Sequence, residues 1–161
     1  MTTRAGGERR NGEGPSMRVQ QHLGRISDLL ARPLTGSDAA HHLVILRESR
    51  DFAPPNDDWD ELVRTSEEFE GELIDLAAAL DARWGPHATL SMEGCVHAFM
   101  DPDEDDPPPF FRYLCESGYF GDLLYWRVGD RLLAVSVGHE DKEEPVVLFA
   151  GVTGSGEGFP T

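Results

Sequence analysis

The chain has 161 residues, enough for one domain, and sets 30 Asp and Glu against 14 Lys and Arg for a formal net charge of −16. The excess sits in residues 51–161, where six basic side chains face twenty-five acidic ones, while residues 1–50 hold eight Arg against five acids. Such a field repels nucleic acid and anionic membrane surfaces, and it attracts cations and basic proteins.

Residues 1–16 are expected to be a disordered head of Gly, Glu, Arg, Asn, Pro and Ser without apolar periodicity. Gly12-Glu13-Gly14 suits a purine-rich ribosome-binding sequence, so Met17 is read as the natural start. A single domain is expected over 17–153. From Met17, Val19, Leu23, Ile26, Leu29 and Leu30 recur at helical spacing, and Pro33 closes the segment. The run 41–46 (His-His-Leu-Val-Ile-Leu) suits a strand or a helix capped by Ser37 or Asp38, and the helix is favoured. Pro54-Pro55-Asn56 marks a loop.

The strongest helix is predicted over 66–84. Thr65 and Glu68 have capping-box spacing, and Phe69, Leu73, Leu76, Leu80 and Trp84 form an apolar stripe. Gly85-Pro86 stops it, and Glu70, Glu72, Asp75 and Asp81 are assigned to the opposite face. Short strands are predicted at 87–92 and 96–100. The stretch 101–109 reads as a surface loop, with five acids and four prolines. Pro108 or Pro109 then opens a short helix through Phe111, Leu114 and Cys115 that ends at Gly118. Two β-rich runs, 122–128 and 131–138, flank Gly129-Asp130, a two-residue hairpin turn, and a third run covers 146–152. The expected fold class is α+β, with helices packed on a C-terminal antiparallel meander of three or more strands, and residues 154–161 are expected to be a flexible tail.

The candidate motifs mostly fail on chemistry. Gly151-Val152-Thr153-Gly154-Ser155-Gly156-Glu157-Gly158 has the outline of a phosphate loop, but Glu157 and Gly158 stand where Lys and Ser/Thr are required. Asp101, Asp103 and Asp105 match the first carboxylates of a calcium loop, but Asp106 takes the Gly position and Arg112 the place of the closing Glu. His41-His42, Cys95-x-His97 and His139-Glu140-Asp141 lack the spacing that puts two metal ligands on one face. There is no G-x-S-x-G, and Glu116 beside Cys115 disfavours a thiolate. Cys95 and Cys115 form no C-x-x-C and are read as small buried hydrophobes. No catalytic, cofactor or metal residue is therefore assigned, and the reading leans to a non-enzyme with an enzyme kept as an alternative. With no apolar run near the ~20 residues of a membrane span and no signal-peptide core, the cytoplasm is the expected location.

Seven aromatics crowd into Phe110, Phe111, Tyr113, Tyr119, Phe120, Tyr125 and Trp126. They read first as core. If partly exposed beside the acidic loop, they would form an anchor-and-rim surface for a basic protein. The partner-binding residues assigned on that basis are Asp101, Asp103, Glu104, Asp105, Asp106, Phe110, Phe111, Glu140, Asp141, Glu143 and Glu144. The alternatives are an enzyme or small-molecule site assembled from distant residues, with Glu93, Cys95 and His97 as candidates, and a housekeeping protein whose acidity serves solubility.

Thirteen of the fourteen basic residues are Arg, the mark of a GC-rich genome and so of a bacterial source. The segments Ala82-Arg83-Trp84-Gly85, Tyr125-Trp126-Arg127-Val128-Gly129-Asp130-Arg131 and His139-Glu140-Asp141-Lys142-Glu143-Glu144-Pro145 resemble small uncharacterised proteins of GC-rich bacteria, a likeness that implies no activity. In general character the chain is also similar to immunity proteins that neutralise basic toxins, which implies an inhibitor of the antitoxin type.

Overall fold

The computed structural model describes residues 13–34, 41–52, 54–55, 57–139, 144–154 and 159, with side chains from Met17 onward. In chain order the elements are α1 (Glu13–Ala31), β1 (His41–Glu48), α2 (Trp59–Trp84), β2 (Ala88–Leu90), α3 (Glu93–Met100), α4 (Pro109–Glu116), β3 (Leu123–Val128), β4 (Arg131–Gly138) and β5 (Val147–Thr153). The strands form one antiparallel sheet in the order β1-β5-β4-β3-β2. The α+β class holds. The meander β3-β4-β5 is present, but β1 extends the sheet beyond β5 and β2 extends it beyond β3, so the strands are spread along the chain.

Both faces of the sheet are apolar, and helices cover each. Leu133 and Val135 of β4 and Leu148, Ala150 and Val152 of β5 pack with Ile26 and Leu29 of α1 and with Phe69, Leu73, Leu76 and Leu80 of α2. Through the period-2 alternation of strands, Leu132, Ala134, Val147 and Phe149 turn the other way, onto Met92, Phe110, Phe111 and Leu114. Every residue of β5 is consequently buried. Phe159, inside the segment expected to be a tail, is buried among Phe110, Phe111 and Tyr125, with ring centroids at 6.2, 4.9 and 4.9 Å.

Local chemistry explains the boundaries. α1 runs back past Met17 to Glu13, while residues 1–12 lie outside the described set. α2 begins at Trp59, six residues before the expected Thr65 cap. Asp58 caps it, its Oδ1 accepting from the Glu61 amide at 3.1 Å, and Leu62 joins the buried stripe. Gly85 ends it at φ 89°, its N–H donating to the Asp81 carbonyl at 2.8 Å. α4 starts on Pro109 and closes at Gly118 (φ 76°), where Tyr119 N–H donates to Leu114 O and Gly118 N–H to Cys115 O. Gly129, at φ 64°, makes the two-residue hairpin turn.

Two sequence-based expectations are corrected. The run 41–46 is strand, not helix. It pairs with β5 from His41 opposite Thr153 to Glu48 opposite Val147, and Leu43 and Ile45 face one helical layer while Val44 and Leu46 face the other. A run apolar on both faces has no helical or alternating period of its own, and only its pairing partner decides. The segment 96–100 is helix, not strand. Ser91 Oγ accepts from the Glu93 amide at 3.2 Å at its start, and Met92, Cys95, Val96 and Phe99 reach the core at spacings of three and four.

Candidate functional site

α2 uses two of its sides. The core stripe leaves Glu70, Ile74, Ala77 and Asp81 along an adjoining flank at steps of four, three and four. Opposite this flank lie β2, the start of β3 and the end of β4, and between them runs an open cavity of about 540 Å³. Leu73, Ile74, Ala77, Leu124 and Val137 supply its apolar lining, and Glu70, Asp81, His87 and Asp122 its polar groups. Ile74 is 66% exposed. One wall depends on a glycine. A Cβ at Gly121 would meet the Val137 carbonyl oxygen at 2.6 Å, so only glycine lets the loop at 121–122 lie this close to β4. Ser136 Oγ fixes the same loop by donating to the Asp122 carbonyl at 2.6 Å.

The carboxylates of the groove differ in state. Asp81 accepts from the His87 amide at 2.8 Å, from His87 Nδ1 at 3.0 Å and from Trp126 Nε1 at 3.0 Å. Desolvation pushes its pKa up, but the bonds from His87 and Trp126 prevail and hold it below the ordinary value. With Nδ1 donating to Asp81, Nε2 is the imidazole's accepting nitrogen. Glu70 behaves oppositely. Partial burial, then the nearby charge of Asp122, raises its pKa. Among the described residues neither Glu70 nor Asp122 has a cationic partner.

A second polar cluster ties α1, α2 and β1 together. Glu72, assigned from sequence to the solvent face, is 8% exposed. It accepts from Arg47 Nη1 at 2.6 Å and Arg18 Nη1 at 3.3 Å and bonds His22 Nε2. Desolvation opposes its ionisation, but His22 and Arg47 outweigh that and lower its pKa. Arg47 also stacks on Phe69 at 4.5 Å and reaches Glu68 at 2.9 Å. This cluster clamps elements together.

The residues picked out from sequence fall elsewhere. Asp103, Glu104, Asp105, Asp106 and Glu144 are exposed, and Asp101 is half-buried. Asp101 Oδ1 accepts from the Asp103 amide at 2.9 Å, and Asp106 pairs with Arg112 at 2.9 Å. Glu140, Asp141 and Glu143 lie outside the described residues. Phe110 and Phe111 are buried rather than presented as anchors, because they fill the core under the ring of Phe159 and against Gly151. Of the aromatic run, Tyr113 and Phe120 stay exposed.

Glu93 and His97 are exposed and Cys95 is half-buried, all on α3, and none lines the groove. On a helix, Cys95 and His97 point to different sides. Ligand atoms of His97, Asp101 and Glu104 lie within 4.8 Å of one another, an open grouping with no further feature that marks an ion site. Cys115 is buried. Burial, with smaller contributions from Cys95 and Glu116, pushes its pKa up to about 11. The one sequence signal for the groove was Ile74, a large apolar residue on the side of α2 that carries Glu70 and Asp81.

No family of known proteins, no curated protein and no solved structure matches this chain. Among the described residues no helix is long and apolar enough to cross a membrane.

Proposed function

We propose that this is a non-catalytic recognition domain for a basic protein, with an inhibitor of the immunity or antitoxin type as one concrete form. The observation that carries the reading is how the arginines are used. Arg18 and Arg47 turn inward to Glu72, Arg50 is held by Glu61 at 2.8 Å, and Arg112 is held by Asp106 and Glu116. Arg25 caps the Leu46 carbonyl, and Arg131 caps those of Leu30 and Arg32. With these six arginines engaged by the fold's own acids and carbonyls and a net charge of −16, the field that reaches solvent is negative. Such a surface accelerates encounter with a basic partner and loses that advantage as salt rises. The test is a capture experiment from native lysate at low and high ionic strength. A set of bound proteins identical under the two conditions would refute the reading.

One observation favours a second reading, a small-molecule site. Asp81 fixes the tautomer of His87 inside the groove, an arrangement that suits Nε2 to accept a proton. Under that reading His87→Ala abolishes turnover of a substrate, whereas under the first it leaves association with a basic protein in place.

A further inference from the structure

We infer that the groove along α2 is a docking slot for a basic aliphatic segment of a protein partner, one Arg or Lys side chain lying between Glu70 and Asp122 with an aliphatic neighbour on Ile74. This rests on the reading above and gives it a location. The volume of about 540 Å³ lies within the range of ligand sites. Its floor of Leu73, Ala77, Leu124 and Val137 is apolar, which suits the methylene stem of a long cationic side chain while the charged head stays near the rim. Ile74, 66% exposed, offers apolar area beside the opening that the fold itself leaves uncovered.

Charge decides the class of occupant. Asp81 is already satisfied by three donors from His87 and Trp126 and serves as a fixed wall. Glu70 and Asp122, two like charges, instead both line the groove, and among the described residues neither is held in an ion pair. At Glu61, Glu68 and Glu72 the chain sets an arginine against the carboxylate. A ligand cation relieves the repulsion at Glu70 and Asp122, and an anionic ligand adds to it. A bare metal ion would leave the apolar floor and Ile74 without a role.

The whole chain, uniformly labelled with nitrogen-15, is titrated with three amidated, acetylated tripeptides: Leu-Arg-Leu, Leu-citrulline-Leu and Leu-Glu-Leu. Amide shifts and calorimetry are the readouts. The expected result is saturable movement of amides at 70–81 and 121–124 with the Arg peptide, binding about tenfold weaker with citrulline, and none with Glu. Glu70→Gln and Ile74→Ser each weaken the Arg peptide by about tenfold, while Glu67→Gln, an exposed acid that does not line the groove, changes nothing. All three variants are at exposed positions, and their spectra report that the fold is kept.

Equal weakening by Glu70→Gln and Glu67→Gln would overturn the docking slot but not the preference for basic partners. Shifts confined to the loop at 101–106 would do the same. Equal binding of the Arg and citrulline peptides in the groove would overturn the slot's cationic specificity. Loss of salt-sensitive capture of basic proteins by the chain would overturn the underlying reading as well.

Discussion

Removing the Glu72 carboxylate tests whether an ion cluster, and not apolar packing alone, fastens α1 and β1 to α2. In Glu72→Ala, His22 stays buried with its Nε2 partner gone, and Arg47 loses its 2.6 Å bond. Its bond to Glu68 and its stacking on Phe69 remain. Arg18 is half exposed and at 3.3 Å, so its share is small. Breaking a buried pair by removing one partner costs about 3–5 kcal/mol, and the surviving contacts of Arg47 put the expectation near the lower end, about 3 kcal/mol. For a chain of this size that lowers Tm by roughly 6–12 °C.

The pH dependence follows from the lowered pKa of Glu72. A carboxyl depressed by folding contributes stability that is fully present above its unfolded value of 4.5 and is lost as pH falls through the folded value. Wild type therefore weakens on acidification below that point, and Glu72→Ala weakens less steeply. Urea unfolding of both proteins between neutral pH and the acid side measures the two effects together. A loss under about 1 kcal/mol at neutral pH, or parallel acid limbs, would refute the clamp. So would Arg18→Ala costing as much as Glu72→Ala.

Cys115, buried and with its pKa near 11, is expected to resist iodoacetamide at pH 8, where only about one thiol in a thousand is ionised, and to react fully in denaturant; mass spectrometry of the adducts checks this. Gly129→Val places a branched side chain at φ 64° and is expected to cost about 2 kcal/mol, while Gly129→Asn costs well under about 1 kcal/mol, both read as shifts in the urea midpoint. Phe159→Ala removes a ring packed on Phe110, Phe111 and Tyr125 and is expected to cost about 3 kcal/mol, with proton signals of the Phe110 and Phe111 rings shifting.

The elements with strong local grammar were readable from the chain. The 69–84 stripe, the turn at Gly129-Asp130 and Pro109 opening α4 each carry a signal within a few residues. Two misses were local, the Asp58 cap of α2 and the helix that follows Ser91; the others depended on partners far away in sequence. Residues 41–46 become strand because β5 receives them, and nothing within the run itself says so. Glu72 lies between Phe69 and Leu76 in helical phase, yet a charged side chain reads as solvent-facing until Arg47 and His22 are known to meet it. The groove was hidden for the same reason. Its walls come from 70–81, 87–89, 121–124 and 136–137, and only the sheet brings them together. The aromatic run at 110–126 read first as core, yet Phe110 and Phe111 were assigned as anchors of a partner surface; the structure buries both in the second helical layer and leaves Tyr113 and Phe120 exposed.

The seating of β5 bears on how the chain is made. It is the latest strand in chain order, yet it lies between β1 and β4. As the chain leaves the ribosome, β1 emerges early and has no strand partner until Val147–Thr153 follows it. Meanwhile the β3-β4 hairpin, whose covering helices all precede it in the chain, waits with the β4 edge unpaired. Such long-range pairing is slow to form and prone to mispairing. Translation speed and nascent-chain chaperones, more than any single contact, are therefore expected to govern how much of this protein reaches its finished form.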